Sequence, residues 1–194
     1  MKLCGLTGGV GMGKSTTANL LRERQIPFVD TDELARELVQ PGQPALAEIE
    51  TTFGQNIISN DGQLRRGELA KIVFADAMAR KKLEAILHPK IRERWLARIE
   101  VWKKEKCELA FVVIPLLFET KAQPHFEKIV CVACSADPQR ERLVARGWTP
   151  EQIRQRIAAQ MPVEDKISRS DFVIWTEGDI ANHSLQLDRI LARL

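Results

Sequence analysis

Gly8-Gly9-Val10-Gly11-Met12-Gly13-Lys14-Ser15 stands directly after the apolar run Leu3-Cys4-Gly5-Leu6 and before an amphipathic stretch that reads as a helix from Lys14 to about Arg24. The spacing is G-x-x-x-x-G-K-[ST], a phosphate-binding loop set between a strand and a helix. Each residue type has a physical reason. Glycines let successive backbone N–H groups curl around a polyphosphate, Lys14 reaches the β- and γ-phosphates, and the Ser15 hydroxyl is placed to coordinate Mg²⁺. The helix that follows aims its N-terminal dipole at the same phosphates. Gly11, Met12, Gly13, Lys14, Ser15 and Thr16 are therefore the expected nucleoside-triphosphate-binding residues, with Ser15 the expected metal ligand and Lys14 also a catalytic cation.

Working outward, five short apolar segments read as strands: 2–6, 27–30, 110–114, 128–134 and 172–175. None alternates polar with apolar, as expected of parallel strands buried on both faces, and helical patterns separate them. The expected fold is α/β, a doubly wound parallel five-stranded sheet with its ligand at the carboxyl ends of the strands. Roughly eighty residues between the second and third strands exceed a simple crossover, so residues 34–104 are expected to form a helical insert. Turns are expected in it at Pro41-Gly42, Asn60-Asp61-Gly62 and His88-Pro89. Its last helix, expected to start at Pro89, sets Ile91, Trp95, Ile99 and Trp102 on one stripe. A helical hairpin over 138–165 is the expected lid, with Asp137-Pro138 as N-cap and first helical residue, and Thr149-Pro150-Glu151-Gln152 as a capping box. The nucleotide-binding core is then 1–33 with 105–137 and 166–194.

Bulk composition narrows the partners. The 194 residues are 44% hydrophobic and 28% charged, with a formal net charge of +3. That is enough apolar material for one good core, and too balanced a charge to call for a nucleic-acid partner. The phosphate loop begins so early that a signal peptide has no room, and no apolar run approaches a membrane span, so a cytoplasmic protein without a membrane partner is expected. Cys4, Cys107, Cys131 and Cys134 read as reduced thiols, the first and third in strands. Cys131 and Cys134 have the C-x-x-C spacing, but no second pair lies near them to complete a zinc site.

Chemistry beyond the loop falls on a few residues. Asp30 and Asp32 stand where the second strand ends, on the loop's edge of the sheet. A carboxylate there can orient and deprotonate a hydroxyl that attacks the γ-phosphate; the alternatives are that Asp32 N-caps the helix 33–39, or that one of the two aspartates holds Mg²⁺ through water. Arg142 and Arg146, four residues apart on the first lid helix, suit cations carried onto the transferring phosphate, with Arg140 turned elsewhere. His88, before Pro89, reads as a capping or packing residue. Pro115-Leu116-Leu117-Phe118-Glu119 after the third strand reads as either a pocket wall or core.

Together these stretches resemble the dephospho-coenzyme A kinase family over nearly the whole chain. The likeness is carried by Thr7 to Thr16, Asp30-Thr31-Asp32 with Ala35-Arg36, Asp61-Gly62-Gln63-Leu64-Arg65-Arg66 and Leu87-His88-Pro89. Pro115 to Glu119, Ala158-Ala159-Gln160 and Ser170 to Ile174 extend it. The resemblance implies a P-loop kinase that uses ATP and Mg²⁺ to phosphorylate the ribose 3′-hydroxyl of dephospho-coenzyme A, a small-molecule acceptor. It implies Asp32 as base, Arg142 as lid arginine, the helical insert as acceptor domain, and Thr7, Asp32, Arg66, His88, Leu117 and Arg146 as acceptor contacts. A monomer or weak homo-oligomer is expected. The chain departs from the family at Trp175-Thr176-Glu177-Gly178, where an asparagine commonly precedes the glycine of the adenine-side loop, and at Met12, where a small residue is usual. A kinase for a nucleoside monophosphate or for shikimate shares the loop, insert and lid; a guanine-nucleotide switch would normally carry N-K-x-D, which does not occur.

Overall fold

Strands β1 (Lys2–Thr7), β2 (Phe28–Asp30), β3 (Leu109–Val113), β4 (Lys128–Ala133) and β5 (Phe172–Trp175) form one sheet in the order β2-β3-β1-β4-β5, every pairing parallel. This computed structural model describes residues 1–194. β1 lies in the middle, and residues 3–7 are buried throughout, as are residues 129–133 of β4. The two edge strands are only partly buried, the pattern that flanking rather than central strands leave. The β5 edge is covered in part by Gln186, whose side-chain amide accepts from Trp175 N at 2.9 Å and donates to Trp175 O at 2.8 Å.

Helices α1 (Lys14–Glu23), α6 (Ala136–Ala145), α7 (Pro150–Ala158), α8 (Val163–Ser168) and α9 (Ile180–Leu191) accompany the sheet, while α2 (Thr31–Leu38), α3 (Pro44–Phe53), α4 (Arg66–Ala75) and α5 (Ala77–Lys104) lie between β2 and β3. The chain makes two compact units, Met1–Asp30 with Trp102–Leu194, and Thr31–Val101. In the first, Cys4 and Leu6 of β1 join Phe111, Val113, Val130 and Val132 on one face, against Leu21 of α1 and Leu187 of α9. The other face packs Leu117 so closely over Gly5 that a Cβ there would sit 2.6 Å from Leu117 Cδ1. The second unit has its own core, centred on Ile49, Ile57, Leu69 and Val73. No helix is long and apolar enough to cross a membrane.

Several local expectations are corrected. There is no turn at His88-Pro89 and no helix start there, because α5 runs unbroken through both residues. Pro89 removes one N–H from the helix, but Pro89 and Ala85, whose carbonyl loses that partner, are both exposed, so water can satisfy the carbonyl. The stripe on α5 survives, with Trp95, Ile99 and Trp102 all buried. α6 begins at Ala136 after Ser135, not at Pro138; Ser135 N is held by Glu177 Oε1 at 2.6 Å, and a proline inside the first turn costs no helical bond. Asp32 is not an N-cap, since α2 starts one residue earlier. β3 starts at Leu109 and ends at Val113, one residue before the expected span. The capping box on α7 forms as read, Gln152 N donating to Thr149 Oγ1 at 3.3 Å and Thr149 N to Gln152 Oε1 at 3.0 Å.

The turn out of β1 is the tightest point of the fold. Gly8 has φ 144°, and a Cβ on it would lie 2.2 Å from the carbonyl oxygen of Val132 in β4. Gly8→Ala is expected to lower stability by about 2–4 kcal/mol, since backbone must separate from backbone to admit one methyl group. Urea unfolding of the variant checks this, and an unchanged midpoint would contradict the close approach.

Candidate functional site

Because β1 is paired on both sides, its carboxyl end delivers residues 8–13 into the sheet's crevice between β3 and β4, the place where open α/β sheets bind ligands. Gly13, with φ 101° and ψ 10°, is the N-cap of α1 and directs its first N–H groups back into the loop. Lys14 Nζ donates to Gly8 O at 2.8 Å and Gly9 O at 2.9 Å, so the ammonium already lies across the mouth of the loop. Ser15 is exposed, and Thr16 lines a cavity of about 470 Å³ with Gly11, Gly13, Arg142, Arg146 and His183.

Arg142 is anchored. Its Nη1 donates to Thr176 Oγ1 at 2.8 Å and to Gly11 O at 3.5 Å, and its Nη2 donates to Thr176 O. Thr176 in turn donates from Oγ1 to Met12 O at 3.0 Å. A buried threonine thus stands between the guanidinium and the phosphate loop. Met12 is itself buried and packs back toward Gly9, whose added Cβ would lie 2.9 Å from its sulfur.

Asp30 ends β2 opposite Val113, which pairs on its other side with Leu6, so Asp30 and the last turn of β1 lie at the same sheet edge. Asp30 is half-buried, and Asp32, two residues on in the first turn of α2, is exposed. Within the second unit, Arg66 opens α4 and lines, with Arg36, an otherwise apolar groove of about 270 Å³ between Ile49, Leu69, Val73 and Leu87. His88 is half-buried on α5, and burial holds its imidazole below the usual histidine value, against the raising charge of Glu84.

Thr7 and Leu117 are packed within the protein. Thr7 is fully buried and its hydroxyl donates to Pro115 O at 3.3 Å; Leu117 is fully buried over Gly5. Both hold the floor of the loop, and neither side chain meets solvent.

Sequence reasoning missed four residues that the fold brings to the site. His183 is buried on α9 with Nε2 2.9 Å from Thr17 Oγ1. Lys166, fully buried, donates to Pro115 O at 2.6 Å and pairs with Glu119 Oε1 at 2.8 Å. Gln139, also buried, donates from Nε2 to Val10 O at 2.7 Å. Thr176 holds Arg142 as described. None belongs to a spaced motif, and only the polarity of Gln139 and Lys166 on otherwise packed segments could have flagged them. Burial pushes the Cys4 thiol up to about 12 and Cys131 up to about 11, which favours the protonated form of both.

Burial, and then the charge of Arg142, lowers the His183 pKa from its ordinary 6.5. With the folded value depressed, the unfolded chain binds the proton first, so this contribution to stability is full above about pH 6.5 and is lost as pH falls through and below it. The thermal midpoint is expected to fall between about pH 7.5 and pH 5.5, and to fall less in His183→Gln. An equal fall in that variant would contradict the assignment.

A loop with its lysine in place, an aspartate edge beside it and a basic cavity at its flank is the layout of a small-molecule kinase. The sequence model of one family, described as dephospho-CoA kinase, matches residues 2–182. Dephospho-CoA kinase of Bdellovibrio bacteriovorus is 41% identical over 191 residues, 98% of this chain and 95% of that protein. That of Anaeromyxobacter dehalogenans is 44% identical over 195 residues, covering 100% and 92%. The solved dephospho-CoA kinase from Campylobacter jejuni superposes with a TM-score of 0.71 at 26% identity, over 100% of this chain and 97% of its own. Family match, near-full-length identity and fold agree: the chain belongs to the dephospho-CoA kinase family.

Proposed function

We propose that this chain transfers the γ-phosphoryl group of ATP to the ribose 3′-hydroxyl of dephospho-coenzyme A, giving coenzyme A and ADP in the cytoplasm. The observation that carries the reading is, in a member of this family, the Lys14 phosphate loop with Asp30 at the end of a strand on the same sheet edge, Asp32 following two residues on in the chain. Phosphoryl transfer asks for little covalent help from the protein and much positioning and charge, and these residues supply both. In the proposed step the 3′-oxygen forms a bond to the γ-phosphorus, the bond from that phosphorus to the β,γ-bridging oxygen breaks, and the hydroxyl proton passes to the Asp32 carboxylate. Phosphate oxygens replace the Gly8 and Gly9 carbonyls as partners of Lys14.

Arg142 and Arg146 bring positive charge to the nucleotide from the lid, residues 138–165. For Arg142 to reach the transferring phosphoryl, it exchanges its contacts with Thr176 and Gly11 for phosphate oxygens. Mg²⁺ fits as an ion carried by the nucleotide: Ser15 is exposed at the start of α1, and no group of three or more His, Cys, Asp or Glu side chains forms a cage of its own. Bound there it neutralises charge on the phosphate oxygens. Residues 34–104 serve as the acceptor-binding insert. Its apolar groove with two exposed arginines suits an amphipathic acceptor that carries phosphates, with Arg66 and His88 as contacts.

Incubation with Mg-ATP and a panel of dephospho-coenzyme A, nucleoside monophosphates and shikimate, read by mass, tests the reading. Coenzyme A formed from dephospho-coenzyme A alone is expected; phosphorylation of another acceptor instead would overturn the substrate. Lys14→Ala is expected to lower kcat about 10²-fold or more. Asp32→Asn is expected to lower it about 10²- to 10⁴-fold with ATP still bound in equilibrium dialysis, and near-parental turnover would remove Asp32 as the base.

A further inference from the structure

Both backbone polar groups of Val10, in the middle of the phosphate loop, are held by side chains. Val10 N–H donates to Gln160 Oε1 at 2.9 Å, and Val10 O accepts from Gln139 Nε2 at 2.7 Å. Gln139 lies in the first half of α6 and Gln160 just past the end of α7. These two glutamines therefore bracket the helical hairpin that carries Arg142 and Arg146, and its two stems converge on a single residue of the loop. We infer that Gln139 and Gln160 are positioning residues for phosphoryl transfer, a two-sided clamp on Val10 that sets the hairpin in register with the phosphate loop. The inference rests on the proposed reaction above.

The polarity of the contacts supports a clamp. A glutamine amide offers one acceptor and two donors, and here the outgoing stem uses its oxygen and the incoming stem its nitrogen, so the loop's N–H and carbonyl are each matched. Gln139 is buried and Val10 half-buried, so the bond to the Val10 carbonyl is partly shielded from water. Behind the outgoing stem the next residue is fixed too. Met161 N donates to Glu119 Oε1 at 2.8 Å, and Glu119 is paired with the buried Lys166, which also holds Pro115 O. Pro115 O is the same atom that accepts from Thr7, the residue leading into the loop. The path from hairpin to phosphate loop is thus made of short, directed polar contacts on both sides of Val10. Displacement of reacting groups by about 1 Å can cost two orders of magnitude in rate, so register of this kind bears on turnover.

Gln139→Met and Gln160→Met keep length and remove the hydrogen bonds. Each is expected to lower kcat about tenfold with KM for ATP changed less than about threefold, and the double variant to be no slower than about the slower single, since both act on one residue. Exchange of the Val10 amide proton, followed by NMR without acceptor, is expected to speed up at least about tenfold in Gln160→Met. A kcat within about twofold of the parent in both variants, or Val10 exchange unchanged in Gln160→Met, overturns the clamp. So does a fall in kcat that disappears when the assay is run well below the variant's thermal midpoint, which is the mark of a merely structural role. Should Gln139→Met not fold, Gln160→Met, at a half-exposed position, decides alone. If the parent chain phosphorylates no dephospho-coenzyme A, the proposed reaction fails, and the Val10 exchange comparison still decides the contact.

Discussion

The rest of the structure depends on how closely the phosphate loop approaches β4. Gly8 lies so near the Val132 carbonyl that no side chain fits, and this contact pins the loop in the crevice where β1 ends between its two neighbours. From there each flank of the loop meets a different element. Gly11 comes within van der Waals reach of Leu143 on α6, Gly13 meets Thr176 after β5, and Thr7 beneath the loop bonds Pro115 after β3. The loop's shape is therefore a property of the sheet and of the segments that leave its carboxyl edge, and not of eight residues acting alone.

Charge is arranged on top of that frame. Lys14 and Arg142 both rest on backbone carbonyls of the loop, weak acceptors that a polyphosphate can displace without either side chain having to travel far. Lys166 is different in kind: it is fully buried and paired with Glu119. A buried ion pair adds little net stability over an apolar pair of the same shape, but it dictates geometry, and this one fixes the return of the hairpin under the loop. In the proposed reaction two cations near the loop act by contact with substrate, while a third holds the chain that surrounds it.

The sheet, the loop and the hairpin were legible in the sequence because each follows a local rule. Unalternating apolar runs mark buried parallel strands, G-x-x-x-x-G-K-[ST] marks the loop, and the Thr149–Gln152 capping box marks the start of α7 to the residue. Where reading went astray, tertiary packing outweighed a local signal. Pro89 reads as a helix start, yet the buried stripe of Trp95, Ile99 and Trp102 runs on a helix that carries on through it with the proline in solvent. Gln139 and Lys166 were silent as functional signals, since their partners Val10 and Pro115 lie 129 and 51 residues away in the chain, and such pairings exist only once the fold has formed.

The position of the transferred phosphate tests the account most directly. Phosphorus–proton correlation NMR on the product made from Mg-ATP and dephospho-coenzyme A is predicted to show one new phosphate coupled to the ribose H3′, in amount equal to the ADP released. A phosphate coupled elsewhere, or ADP accumulating without a phosphorylated acceptor, would contradict it.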